Sequence, residues 1–350
     1  MEYVRLGEAD LKTNINNRVY LTFMAKDVTV DVQKDKITRF IKLIMVDKDT
    51  EVQARLFGAS QKVIDTVQEG KVYKAAVDIR PYDKAPEGYS CIIYNIDFSD
   101  ETPDNYVNWA ENLDECQKVI ENLLPEFINT PYGQIAYPLL VENWDRFVRW
   151  TAAKGQHHTR LGELMVHTSE VMTICSDLAD YFNGLYGAEF INKPLLLASA
   201  MLHDLAKVKE LDVNTYSGKT SYSKHSVLCT HIMDVITDVE VQAYKLGLGQ
   251  QKIIENEVGE DEETKTQEQL NDEQEAIDLL KHCLAAHHGK LEFGSPITAS
   301  IPEAHLLNVA DNLSADMYKY NKSMRQLEPG DFVSVWAGSG YNNTYKDSTK

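Results

Sequence analysis

The five cysteines of this 350-residue chain, Cys91, Cys116, Cys175, Cys229 and Cys283, include no Cys-x-x-Cys pair. That argues against a thiolate zinc site and against a disulfide framework, and it fits a reducing, cytoplasmic setting. Long apolar runs are missing too. Residues 1–10 carry several charges and no hydrophobic span follows them, so neither secretion nor membrane insertion is expected. Positive charge is scarce: 35 Lys+Arg stand against 54 Asp+Glu, a net charge of −19. The deficit is uneven, with 15 basic and 16 acidic side chains in residues 1–100 and −18 on the remaining 250. A chain-wide nucleic-acid coat needs clustered cations and does not fit this balance. A local groove does, as do metal ions that offset the acid. With 43% hydrophobic and 25% charged residues the chain reads as folded, and its length suffices for two domains.

From Arg18 to Phe98 the pattern is short β-type runs broken by turns. Val19–Phe23, Arg39–Val46 and Val52–Phe57 read as strands, a helix follows over Ser60–Gln68 with Ser60 as its cap, and Val72–Ile79 and Tyr89–Ile96 add two more strands. Five strands with a helix between the third and fourth is the order of an OB-fold barrel. Asp47-Lys48-Asp49-Thr50-Glu51 and the turn Leu56-Phe57-Gly58-Ala59 resemble the tRNA-anticodon type of OB module. Such barrels hold oligonucleotides across strands 2 and 3, stacking bases on aromatics and tracking phosphates with cations. Phe40, Lys42, Arg55 and Phe57 lie on those strands and are the candidates; the competing reading puts both phenylalanines in the barrel core. Residues 99–156 open acidic and continue as helices over Asn112–Leu124 and Tyr137–Trp150, with a break at Thr130-Pro131-Tyr132-Gly133.

The chemistry sits further on, where His203 and Asp204 stand side by side at the end of an apolar run. Burying such a pair is costly unless it binds something, and both side chains can reach one cation. Helical spacing brings four more elements to the same kind of position. His167 lies in the stripe of Leu164, Val171, Ile174 and Leu178; His231 lies with Leu228 and Val235; Ile277, Leu280, Leu284 and His287 lead to His288 and the stop at Gly289. A capping box, Ser300-Ile301-Pro302-Glu303, opens the helix that carries Asp311 beside Leu307 and Ser314. Lys207, three residues after Asp204, faces the same side, either toward a phosphate oxygen or as a surface partner of Glu210. Glu163 reads as exposed, and His225, His282 and His305 fit no ligand position.

The order His, His-Asp, His, His-His, Asp resembles the signature of the HD-domain phosphohydrolases over residues 160–320. That resemblance implies one ion held by His167, His203, Asp204 and Asp311, and a second held by His231, His287 and His288 with Asp204 as the bridge. Two ions are favoured over one. Imidazole-rich ligation suits Mn, with Fe, Co or Ni as alternatives, better than Mg or Ca. Asp204 and Lys207 are then the catalytic candidates. The words Ala152-Ala153-Lys154-Gly155-Gln156-His157-His158, Leu202 to Leu211, His287-His288-Gly289 with Gly294-Ser295-Pro296, and Ala310-Asp311-Asn312-Leu313 resemble the YhaM-type 3′→5′ exoribonucleases, and His158 is a candidate for lining substrate entry. Two departures stand out: Gly162-Glu163-Leu164-Met165-Val166 where that group has Gly-Gly-Leu-Leu-Glu, and Ser314 where it has Asp.

The expected fold is therefore multidomain, an N-terminal all-β OB-fold barrel over 15–98, a helical connector over 99–156, an all-α HD-domain bundle over 157–320 and a tail over 321–350. The acidic run from Glu255 to Asp278 reads as a flexible solvated insertion. The expected activity is a metal-dependent phosphodiesterase trimming single-stranded nucleic acid, RNA favoured, from its 3′ end. The alternatives are an HD-type hydrolase of small phosphates such as nucleotides or cyclic nucleotides, and a catalytically silent binding protein.

Overall fold

The computed structural model describes residues 2–349 except 34, 36, 49, 84–87, 155–159, 217–219, 251–264, 338, 339 and 348. The chain divides into two compact units, Met1–Trp109 with Asn214–Lys219, and Ala110–Val213 with Thr220–Lys350.

The first unit holds strands β1 (Val4–Arg5), β2 (Arg18–Val32), β3 (Arg39–Asp47) and β4 (Thr50–Phe57), helix α1 (Gln61–Thr66), and strands β5 (Val72–Pro81) and β6 (Tyr89–Phe98). β2 pairs with both β3 and β5, β3 with β4, β4 with β6, and β6 with β5, so β2 to β6 close into a five-stranded barrel of OB type. Closure removes the exposed strand edges that an open sheet must protect. Strand alternation sends Ile41, Leu43, Met45, Ala54 and Leu56 into the core with Phe23 and Tyr73. β2 runs nine residues past the expected end at Phe23. Its register shifts between Lys26 and Thr29, with Asp27 at φ 50°, so its first half pairs with β5 and its second with β3. The Lys26-Asp27 pair at that bulge breaks the apolar alternation and hides the strand's length.

Residues on either side of 15–98 also build this unit. Leu6 and Leu11 join the core, and Asp47, 4% exposed, accepts from Arg5 Nε at 3.1 Å and Gly7 N at 2.9 Å.

The second unit holds α2 (Leu113–Leu123), α3 (Pro131–Phe147), α4 (Glu163–Tyr186), α5 (Lys193–Leu202), α6 (Lys207–Glu210), the pair β7 (Leu211–Val213) and β8 (Thr220–Tyr222), α7 (His231–Lys245), α8 (Gln267–Ala286), α9 (Pro302–Arg325), and a terminal hairpin of β9 (Phe332–Ala337) and β10 (Gly340–Tyr345). Residues 195–202 of α5 are all buried, as a helix apolar on every side must be, with α3, α4, α8 and α9 packed around it. Asn192 caps α5 by accepting from Leu195 N at 3.1 Å.

Several sequence expectations are corrected here. Pro131, read as a break, is the first residue of α3, where its missing N–H is harmless and Thr130 supplies the cap. Gly133 permits the following close approach: a Cβ there would lie 2.1 Å from Phe127 O. The Ser300 capping box does not form. Ile301 is the N-cap of α9, and the buried Glu303 instead accepts from Asn192 N at 2.6 Å, joining α9 to α5. Of the run 255–278 expected to be flexible, Gln267 onward is α8, opened by a reciprocal capping box of Thr266 and Gln269; residues 251–264 lie outside the described ones. Glu163 is buried, accepting from Arg160 N at 2.6 Å and Tyr318 Oη at 2.9 Å. No helix among the described residues is long and apolar enough to cross a membrane.

Candidate metal centre

α5 ends at Leu202, and the turn that follows places His203 and Asp204 at its tip with both side chains almost wholly buried. α4 contributes His167 and α9 contributes Asp311. The first residue of α7 is His231, and α8 ends into His287 and His288. Gly289, at φ 78° and packed on the Asn308 side chain, turns the chain there; Asn308 Nδ2 also donates to His287 O at 2.7 Å. Two groups of three result: His167, His203 and Asp311, and His231, His287 and His288, each with its potential ligand atoms within 4.8 Å of one another. Asp204 stands between them. Its Oδ2 lies 3.5 Å from His167 Nε2 and 3.6 Å from His203 Nε2, and its Oδ1 lies 3.5 Å from His231 Nε2.

The hydrogen bonds behind these rings decide what faces inward. His203 Nδ1 donates to Ala200 O at 2.7 Å, His287 Nδ1 to Leu284 O at 2.7 Å, His288 Nδ1 to Phe293 O at 2.9 Å, and His231 Nδ1 to Glu210 Oε2 at 2.7 Å. His167 Nδ1 meets Ser314 Oγ at 2.9 Å, and that hydroxyl donates to Glu170 Oε2 at 2.7 Å. Carbonyl and carboxylate oxygens only accept, so each Nδ1 carries the proton and each Nε2 a lone pair. The lone pairs of His167 and His203 then face each other at 3.2 Å, with Asp311 Oδ1 3.1 Å from the former. His231 Nε2 and His287 Nε2 are buried with no hydrogen-bond partner. Converging buried acceptors of this kind are unfavourable without a cation, and a divalent metal ion fits the set.

Charge states agree. Burial holds the imidazoles of His203, His287 and His288 below their ordinary pKa, leaving them neutral and able to ligate. Burial pushes Asp204 upward, but Lys207 and the neighbouring histidines outweigh it and hold the carboxyl well below its usual range. Asp311 is lowered in the same way, its burial outweighed by His167. Lys207 donates from Nζ to Asp204 Oδ2 at 2.7 Å, the position read from the i, i+3 spacing rather than a surface pairing with Glu210. Three partners were not anticipated in these roles. Glu210 and Ser314 were seen in the sequence without them, and Glu170 went unnoticed although it stands one turn beyond His167. Away from the centre, His225, Cys229 and Asp234 also come within 4.8 Å, His225 Nε2 lying 2.9 Å from both Asp234 oxygens at the surface.

On the barrel, register Phe40↔Phe57 and Lys42↔Arg55 puts all four candidates on the outer face of β3 and β4, so neither phenylalanine is barrel core. The two rings stack at 5.3 Å between centroids, Phe57 is 43% exposed, and Lys42 is ion-paired with Asp31. A groove of about 570 Å³ runs beside them, lined by Lys42, Ile44, Gln53, Arg55, Tyr82 and Tyr89 among others. His158 lies outside the described residues.

Residues 164–316 match the HD domain family, so the second unit carries the domain of metal-dependent phosphohydrolases and with it a divalent-metal site. Among characterised proteins the chain is homologous, over 84% of its length, to the 3′-5′ exoribonuclease YhaM of Bacillus subtilis, at 25% identity and covering 84% of that protein. The YhaM of Listeria innocua is 26% identical over 88% of this chain and 90% of its own, and that of Halalkalibacterium halodurans 27% identical over 84% and 82%. Solved structures similar in part include an OB domain from Thermoplasma acidophilum (11% identity, TM-score 0.22, 29% of this chain and 91% of that one) and the second OB-fold domain of replication protein A from Methanococcus maripaludis (12%, 0.22, 29% and 98%).

Proposed function

We propose that this chain is a metal-dependent 3′→5′ exoribonuclease in which the HD centre hydrolyses the terminal phosphodiester and the barrel face of Phe40, Lys42, Arg55 and Phe57 holds single-stranded RNA. The observation that carries the hydrolytic part is the pair of three-ligand groups, His167, His203 and Asp311 and His231, His287 and His288, on either side of the buried Asp204, to which Lys207 is bonded. The substrate part is supported by likeness to the YhaM exoribonucleases along 84% of the chain.

His167, His203, Asp204 and Asp311 would hold one ion, and His231, His287 and His288, with Asp204 shared, a second; carboxylates set among imidazoles suit a divalent transition metal, and Mn is the one we propose. Divalent ions there supply Lewis acidity, activating water near neutral pH and offsetting charge on the phosphate. The chain's own groups do the rest. The five Nδ1 bonds fix ring orientation before substrate arrives, so no reorganisation is needed during reaction. Lys207 keeps its proton at Nζ, since Asp204 raises its pKa against the effect of burial, and it stands ready to donate to a phosphate oxygen. On the barrel the Phe40–Phe57 stack offers bases a sequence-tolerant platform.

The near-neutral barrel and the Lys42–Asp31 pair favour a second reading, a hydrolase of small phosphates. Purified protein with Mn²⁺ is offered end-labelled single-stranded RNA, the matching DNA and a panel of nucleotides. Stepwise shortening of RNA from the 3′ end, abolished by Asp204→Ala, is the expected result. Phosphate release from nucleotides alone overturns the exoribonuclease in favour of the second reading.

A further inference from the structure

His167 is held differently from the other four histidines of the centre. Their Nδ1 atoms end on a backbone carbonyl or directly on a carboxylate, whereas His167 Nδ1 ends on Ser314 Oγ at 2.9 Å, whose O–H donates a hydrogen bond to Glu170 Oε2 at 2.7 Å. A hydroxyl has one proton and can either give it to the ring or receive from it. While the Glu170 carboxylate takes that proton, Ser314 Oγ is an acceptor, His167 must donate from Nδ1, and Nε2 keeps its lone pair. Without the carboxylate the hydroxyl is free to turn toward Nδ1. His167 then carries its proton on Nε2, and an acceptor for it already waits: Asp311 Oδ1, 3.1 Å away. The wrong tautomer is therefore locally well bonded, and something outside the ring has to select the right one.

We propose that Glu170 and Ser314 are positioning residues of the metal centre: through the Ser314 hydroxyl, Glu170 holds His167 in the tautomer that offers Nε2 to a divalent cation. The proposal rests on the metal-centre reading above. Helical spacing builds the device. Glu170 is one turn from His167 on α4 and Ser314 one turn from Asp311 on α9, so each helix supplies one ligand and one positioning group to the same layer. His231 makes the comparison within the molecule, since Glu210 meets its Nδ1 directly at 2.7 Å. Glu170 reaches in from the surface, with its side chain on the exposed side of α4, so replacing it removes the acceptor without opening the core.

The test uses the full chain, histidine-labelled with ¹⁵N and stripped of metal. Long-range ¹H–¹⁵N spectra report the His167 tautomer, and titration with Mn²⁺ alone reports affinity. Wild type is expected to carry the proton on Nδ1. Glu170→Met is expected to move it to Nε2 and to weaken Mn²⁺ binding by roughly 10- to 100-fold, with the metal-free melting temperature unchanged. Ser314→Ala reaches the same tautomer by another route. Adding Ser314→Asp to Glu170→Met puts a carboxylate directly on Nδ1 and should restore both tautomer and affinity. An unchanged tautomer and affinity in Glu170→Met and Ser314→Ala overturns the relay alone. Wild type that takes up no Mn²⁺ overturns the metal centre and the relay with it, while absence of RNA turnover touches neither measurement.

Discussion

An imidazole bonded through Nδ1 has one lone pair left, and in this chain five such rings fall into two ligand groups on either side of Asp204. The ligand types were readable in the sequence because each falls on an apolar helical stripe, where a polar side chain needs a reason. Their partners were not. Ser314, Glu170 and Glu210 acquire meaning only when α4 meets α9 and α6 meets α7, and nothing in the spacing of one helix encodes a contact to another. The same blindness applied to Glu163, which looked solvated until Arg160 and Tyr318 closed over it. Lys207 was legible because its partner is local. Lys207→Gln keeps a hydrogen-bond donor but loses the charge, and turnover of RNA at saturating Mn²⁺ is expected to fall by about 100-fold or more. A rate within twofold of wild type assigns Lys207 to structure only.

Helices and strands were legible where propensity and burial agree, as in α5, whose apolar sequence and capping Asn192 leave little choice. They were misread where tertiary contact overrides local pattern. Glu303 forms no capping box because the backbone N–H of Asn192, the N-cap of α5, claims its carboxylate, and the acidic look of residues 267–278 conceals the exposed face of α8 behind Leu270, Ala276 and Ile277. β2 escaped because its bulge interrupts alternation. The entry to α3 gives the sharpest test at this scale. Gly133→Ala would press a methyl group onto Phe127 O, and calorimetry should show a loss of about 1–3 kcal/mol, a cost of overpacking. An unchanged melting temperature would mean that the 127–133 turn relaxes freely.

For the molecule as a whole, charge sets the terms on which RNA is met. A chain with −18 outside its first hundred residues has few cations to spend on phosphates, and Lys42 is already shared with Asp31. If Lys42 and Arg55 make the phosphate contacts, the logarithm of RNA affinity should fall with the logarithm of salt at a slope near −1.4, two contacts at about 0.7 each. A slope steeper than about −4, measured by fluorescence anisotropy with Asp204→Ala to prevent cleavage, would require a basic surface beyond these two residues.

The helices α7 and α8 have their histidines at one pair of ends, His231 at the start of the first and His287 and His288 after the last turn of the second. The chain between them leaves from Lys245 and returns at Gln267, about 21 Å and 30 Å along those helices from the ligands at 1.5 Å per residue. Ligand geometry and connection length are thereby uncoupled. A change in the length or charge of this connection is expected to leave Mn²⁺ affinity at the centre unchanged, as titration of such a variant would report. For the protein engineer it is the natural place to splice in a tag or a reporter domain.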